Sequence, residues 1–306
     1  MEYISVRVST LRPGAKLSFN LYVEFKGAHV KYRDAKAVFE KEIFEKFKAK
    51  KIKKVYIEPE EEPLYLAYLD EALDALKSST VATSEKAEIA QGTLRHESEN
   101  IGKTLESEGA YRKSEERIQQ VVDFMLAEPK ALAGMLASAG LSVDESQHGS
   151  SVSSLVLGVA VSSKWFSREE LTDLAVAGLL HDGGLKKFGF DATTDYEALP
   201  KEQKMEYRKH AKASAELVAG KQFITSRVLR IIEDHEEYGE GQGYPAKKRY
   251  AKLANDSQIF NICDALDHFA MKQKKSHLDC FDDFVGARGE HFDMQVLELL
   301  EKQLRV

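Results

Sequence analysis

The stretch SREELTDLAVAGLLHDGGL, residues 167–185, decides how the rest of the chain is read. Ser167 followed three residues later by Glu170 has the pattern of a capping box, which marks a helix start. Leu171, Leu174, Ala175 and Leu179 then recur at helical spacing, so this helix buries one face. It ends by delivering His181 and Asp182 beside Gly183 and Gly184. An imidazole and a carboxylate at the inner end of an apolar helix are either a polar terminus or one contribution to a ligand cluster. Partners elsewhere in the chain decide between the two.

Three more of the nine histidines sit in the same way. His148 precedes Val152, Leu155 and Val159 on one face, His210 shares a stripe with Ala213, Ser214, Leu217 and Val218, and His235 follows Val228, Ile231 and Ile232. Four predicted helices thus aim one imidazole each at a common interior. Carboxylates accompany them: Asp182 beside His181, Asp234 beside His235, and Asp264 within NICDALDHF (261–269). One inward histidine is more often a hydrogen-bonded core residue than a ligand. Four with adjacent acids differ, because burying so many ionisable groups without a cation costs several kcal/mol each or drives them neutral. Histidine nitrogen with carboxylate oxygen and no sulfur suits iron, manganese or zinc. A carboxylate can bridge two ions about 4 Å apart, and such a pair can activate a water and hold both ends of an in-line phosphoryl displacement.

The chain has 306 residues and 43% hydrophobic content, enough apolar mass for two domains. Charged residues make up 31% with a net charge of -6 and no long basic run, which argues against binding a nucleic-acid polymer. Cys263 and Cys280 form no CxxC pair, which fits a reducing, cytoplasmic setting and argues against a disulfide framework or a thiolate zinc site. MEYISVRVS at the start lacks a signal-peptide core, and no run approaches the roughly 20 apolar residues of a membrane span, so no membrane partner is expected.

Ile4, Val6 and Val8 alternate with polar neighbours, as do Leu17, Phe19, Leu21, Val23 and Phe25, which predicts two strands with a turn at Pro13-Gly14. Phe39, Ile43, Phe44 and Phe47 lie on one side of a charged helix, and residues 55–57 make a further strand. Residues 1–63 therefore read as a small α+β domain with a regulatory or interaction role. Residues 64–115 are helical but polar, weakened by Gly92, Gly102 and Gly109, and read as a connector. From 116 to 306 the apolar stripes stay helical, which predicts an all-α bundle.

Several ordered markers in this last region carry a resemblance. They are His148, the HD pair at 181–182, LPKEQKMEYRKHAKASAEL around His210, HEEYGEGQGYP at 235–245, NICDALD at 261–267 and GEHFD at 289–293. With them the chain resembles the HD-GYP family, the bacterial branch of the HD metallophosphohydrolases, over roughly residues 116–306. VRVSTLRPGAKL (6–17) resembles the small domain that often precedes this module. The resemblance implies an HD-type helical bundle holding two divalent metal ions, iron first and manganese second. It implies that His148, His181 and Asp264 hold one ion, that Asp182 bridges, and that His210 and His235 hold the other. Position 234, usually histidine in the family, is aspartate here, and Asp234 is kept as a ligand with a harder, more anionic shell. The implied activity is hydrolysis of a cyclic dinucleotide, cyclic di-GMP, by metal-activated hydroxide.

The departures from the family pattern bear on activity. Its HDxxK lysine falls on Leu185, which leaves neighbouring Lys186 as the candidate to assist the leaving oxygen. The Gly-Tyr-Pro loop keeps Gly243, Tyr244 and Pro245 but is one residue longer, with Tyr244 a candidate wall of the substrate pocket. The arginine-containing RPY segment is replaced by KQKKSH (272–277), where Lys272, Lys274 and Lys275 are candidates to meet phosphates. A second reading stays open, in which the chain is a weak or inactive cyclic-dinucleotide sensor or scaffold that retains its metals. A third is another phosphate ester as substrate, since a fold does not fix one. Asp144, where relatives can carry a glutamate for a third metal, reads as either a ligand of such an ion or a helix N-cap, His268 as either a hydrogen-bonding neighbour of the ligands or a surface residue, and His291 as structural; none is placed in the ligand set. The N-terminal domain is expected to regulate access, self-associate or contact a protein partner.

Overall fold

The computed structural model describes residues 3–50, 52–141 and 144–305, so the outer domain limits at 1 and 306 lie outside the described residues. Strands β1 (Ile4–Arg7), β2 (Leu21–Phe25), β3 (Ala28–Arg33) and β4 (Lys54–Ile57) form one antiparallel sheet in the order β1-β4-β2-β3. Val6 pairs with Val55 and Ile4 with Ile57. Helix α1 (Lys41–Ala49) sets Ile43, Phe44 and Phe47 against Val6, Phe19, Leu21, Phe39 and Val55. This is the expected α+β domain. Strand β3 was not anticipated, because it is a sheet edge without a buried residue and so shows no alternation of apolar and polar positions. Leu17 and Phe19, read as part of a strand, are buried in the segment leading into β2.

Helices α2 (Glu62–Asp74), α3 (Thr83–Glu99) and the short α4 (Ile101–Thr104) join this domain to the second. The second contains α5 (Glu108–Ala127), α6 (Leu132–Ala139), α7 (Glu145–Ser163), α8 (Arg168–Leu180), α9 (Lys201–Tyr207), α10 (His210–Val218) and α11 (Ser226–Asp234). It closes with α12 (Asn255–Gln273), α13 (His277–Arg288) and α14 (Met294–Leu304). The joining segment is helical as expected, but α3 is not a solvated connector. It packs against α5, α6 and α7, with Ala87, Ala90 and Leu94 in the main core. Its buried charges all have partners: Lys86 with Glu128 (2.6 Å), Arg95 with Asp144 (3.3 Å) and Glu97 with Arg117 (3.2 Å). Pairing makes burial of such groups tolerable, which is why a core helix reads as polar in sequence.

Two contacts position the site. Helices α7 and α8 approach so closely that a Cβ on Gly178 would fall 2.4 Å from Ser153 Oγ and 2.9 Å from Ser153 Cα. That approach brings the starts and ends of the two helices together, and with them His148 and His181. At the domain boundary, Arg7 is only 5% exposed and pairs with Glu99, while its guanidinium lies 3.4 Å from Ser146 Oγ and 3.6 Å from Asp144. Asp144 caps α7 by accepting a hydrogen bond from the Gln147 amide at 2.9 Å, the role its position suggested. Among the described residues no helix is long and apolar enough to cross a membrane.

Candidate metal centre

His148 lies in the first turn of α7, His181 just past the end of α8, His210 at the start of α10 and His235 just past α11. All four are between 0 and 3% exposed. Their Nδ1 atoms are occupied. His181 donates to Gly178 O (2.9 Å), His210 to Tyr207 O (2.7 Å) and His235 to Ile232 O (2.7 Å), while His148 Nδ1 meets Asp267 Oδ2 at 2.7 Å. A carbonyl only accepts, so in those three rings Nδ1 carries the proton and Nε2 turns a lone pair inward.

The Nε2 atoms converge in pairs, His148 with His181 at 3.1 Å and His210 with His235 at 2.9 Å. Two lone pairs at such distances repel unless a proton or cation lies between them. Nitrogen and oxygen donors about 2.1 Å from one cation, at right to tetrahedral angles, are roughly 3.0–3.4 Å apart, which matches the first pair and lies within 0.1 Å of the second. Asp182 lies between the pairs. Its Oδ2 is 3.5 and 3.6 Å from Nε2 of His148 and His181, and its Oδ1 is 3.4 and 3.6 Å from Nε2 of His210 and His235. Asp264 Oδ1 is 3.1 Å from His148 and 3.4 Å from His181. Both oxygens of Asp182 and Oδ1 of Asp264 are buried without an aligned hydrogen bond, a costly state for a carboxylate. The donor atoms of His148, His181 and Asp182, and of Asp182, His210 and His235, form groups lying within 4.8 Å of one another. Orphaned buried oxygens between converging imidazoles fit divalent cations.

Electrostatics agree. Burial disfavours charge on Asp182, yet His181, His210 and His235 outweigh it and hold the carboxyl well below its usual range. Burial likewise opposes protonation of His148, but the adjacent carboxylates of Asp264 and Asp267 overcome it and hold the imidazole well above its usual value.

Around this core, Gly184 lets the turn after Asp182 touch α10, with its amide donating to Ser214 Oγ at 2.9 Å. Glu237, fully buried, accepts from the amides of Ala246 (2.6 Å) and Lys248 (2.8 Å) and so fixes the Gly-Tyr-Pro loop. Tyr244 stands where a pocket wall was expected, 8% exposed with its ring edge-on to His210 at 6.0 Å between centroids.

Other expected positions differ. Asp234 is not among the converging donors: its Oδ1 pairs with Lys248 Nζ at 2.6 Å and its Oδ2 lies 3.4 Å from Ser257 Oγ. Within a helix one residue rotates a side chain by about 100°, so Asp234, the last residue of α11, points elsewhere than His235, whereas Asp182 follows His181 beyond the end of α8 and is not bound by that rotation. Glu236 comes nearer, with Oε1 3.7 Å from His210 Nε2. Lys272 is paired with Asp195 and Lys275 with Asp283, each at 3.0 Å, and Lys274 is exposed in a left-handed conformation at the end of α12. Lys186 is exposed on the turn 185–188. A groove of about 590 Å³ beside Tyr244 is lined instead by Lys187, Arg208, Lys209, Lys212 and Lys247, with Glu216 the one acid among them, 3.6 Å from Lys187. Leu185 is fully buried and packs with Tyr207 and Tyr244. Sequence reasoning did not single out Asp267, which takes hydrogen bonds from His277 Nε2 and Ser151 Oγ, both at 2.6 Å. Its place three residues after Asp264, on the same helical face, was the available signal.

Residues 129–296 match the HD domain family, more than half of the chain, and the chain belongs to that family. It is a family of metal-dependent phosphohydrolases whose members bind divalent metals. Among solved structures the chain is similar to Bd1817, a HDG"Y"P protein from Bdellovibrio bacteriovorus, with a TM-score of 0.82 and 23% identity over 100% of each chain. The shared fold thus takes in the small N-terminal domain as well as the helical one. No curated protein matches the chain.

Proposed function

We propose that the chain is a phosphodiesterase of HD-GYP type that opens a cyclic dinucleotide, cyclic di-GMP, using two divalent ions, iron or manganese. The observation that carries this reading is Asp182, a buried carboxylate that turns each oxygen to a different histidine pair. Divalent cations held there would supply the electrophilic polarisation that in-line displacement at phosphorus requires. The chain's own residues do the rest. His148, His181 and Asp264 fix one set of donors, and His210 and His235 the other, with Asp182 shared.

The groove beside Tyr244 gives phosphates a positive surface in a chain whose net charge is -6. Arg208 also lies over the rings of Tyr196 and Tyr244, 5.7 and 5.5 Å from their centroids, and so stiffens that wall. In this reading the groove takes the phosphate-binding role expected of Lys272, Lys274 and Lys275. A cytoplasmic location and a regulatory or self-association role for residues 1–63 belong to the same proposal.

Burial of Leu185 beneath Tyr207 and Tyr244 favours a second reading, a sensor with little turnover, because an apolar side chain stands where the resemblance calls for a lysine. Incubation of the purified chain, loaded with Mn(II) or Fe(II), with cyclic di-GMP separates the two. Linear dinucleotide resolved by chromatography supports the enzyme, and saturable binding without product supports the sensor. The absence of both product and binding would overturn the assignment of this ligand.

A further inference from the structure

We infer that His268 is an additional nitrogen ligand of the cation on the His148 side, which makes the two metal positions unequal. The inference rests on the dinuclear reading above. Helix α12 carries Asp264 and, one turn later, His268, so both project from one face. His268 Nε2 lies 3.6 Å from Asp264 Oδ1, the same buried oxygen that is 3.1 and 3.4 Å from Nε2 of His148 and His181. At 3.6 Å the contact is too long for a hydrogen bond. Around this oxygen, which has no aligned hydrogen bond, nitrogens stand at 3.1 and 3.4 Å, within the roughly 3.0–3.4 Å that separates neighbouring donors of one coordination sphere, and His268 stands just beyond it at 3.6 Å. The ring of His268 rests on that of His148, 4.3 Å between centroids, and the donor atoms of His148, Asp264 and His268 lie within 4.8 Å of one another.

With His268 included, the first position has three imidazoles, Asp264 and Oδ2 of Asp182. The second has His210, His235 and Oδ1 of Asp182, with Glu236 as the nearest remaining acid. The side chain of His268 is 28% exposed, against 0 and 1% for His148 and His181, so it closes the first position from the solvent side. A site with five protein donors holds its ion firmly, whereas one with three keeps open positions for water or substrate. The open position is the one beside Tyr244 and the basic groove.

The test takes the full chain, stripped of metal and titrated with Co(II), with visible absorption and metal retention followed against increasing chelator. The wild type is expected to release cobalt in two steps. His268→Ala should lose the firmer step, with retention weakened roughly tenfold or more, and should change the visible band of the first equivalent. His268→Phe keeps a ring against His148 without a donor nitrogen and should behave like His268→Ala. Circular dichroism of both variants reports whether the fold is kept. Wild-type spectrum and retention in His268→Phe would reduce His268 to a stacking residue and overturn the inference. If the wild-type chain takes up no cobalt, the dinuclear reading falls with it. If all three chains bind two equivalents and release them alike, the inference about His268 is overturned while the dinuclear reading stands.

Discussion

Asp267 Oδ2 lies 2.7 Å from Nδ1 of His148, and the two side chains are buried together between α7 and α12. The other oxygen of Asp267 is held by His277 and Ser151 at 2.6 Å each, so the carboxylate cannot turn away. A carboxylate behind an imidazole orients the ring and makes its far nitrogen a better donor. Asp267→Asn keeps the shape and removes the charge. Metal affinity, read by calorimetric titration of the stripped chain with Mn(II), is expected to fall roughly 10–100-fold. An unchanged affinity would mean that His148 needs no anionic support.

Asp182→Ala removes the shared carboxylate and should lower the metal content of the purified chain on both sides of the centre, with any phosphodiesterase activity falling in step. Elemental analysis checks this directly. Retention of the wild-type content would contradict a bridging position for Asp182.

Gly184 has no room for a side chain: a Cβ there would sit 2.5 Å from Ser214 N and 2.6 Å from His210 O, both backbone atoms. Gly184→Ala must therefore push the turn off the start of α10 and move His210 away from His235. A loss of about 1–3 kcal/mol in stability is expected, the usual cost of overpacking, together with weaker metal binding. Gly183→Ala, whose nearest neighbours would be Leu217 Cδ1 at 3.2 Å and Leu180 O at 3.3 Å, is the milder control. Denaturant melts of the two variants with equal midpoints would refute the packing account.

Asp173 on α8 has its carboxyl pushed up to about 6 from an ordinary 3.8, first by burial and then by the nearby charges of Glu115 and Asp256, against help from Thr225 and Arg227. Because the folded state holds this proton more tightly than the unfolded chain, stability declines as pH rises through the window between those two values and stays reduced above it. Asp173→Asn should thus stabilise the chain at about pH 7.5 by on the order of 2 kcal/mol, taking about 1.4 kcal/mol per tenfold in proton affinity and discounting for residual exposure. The advantage over wild type should shrink toward about pH 4, where both side chains are neutral in the fold. Thermal melts of both chains across that range give the difference.

The four histidines, Asp182 and Asp264 were legible because each sits on the inward stripe of a helix whose period is plain in the sequence. Asp234 misled because it lies inside α11, where adjacency in sequence is not adjacency on a face, unlike Asp182 past the end of α8, and its partner Lys248 comes from a loop without regular period. His277 could not be paired with Asp267 in advance, since it arrives from α13 and only the packing of α12 on α13 joins them. Helix α3 hid its burial behind Lys86, Arg95 and Glu97, whose counter-charges lie on α7, α5 or the segments that border them. Strand β3 hid for the opposite reason, having no buried face to betray it.

Arg7 belongs to the first domain by sequence, yet its guanidinium lies among Glu99, Ser146 and Asp144 at the head of the helix that bears His148. Excising residues 1–63 is therefore not the removal of an appendage. It withdraws one of the two guanidinium groups that meet Asp144 and leaves Arg95 alone to steady the turn that aims an imidazole into the cage.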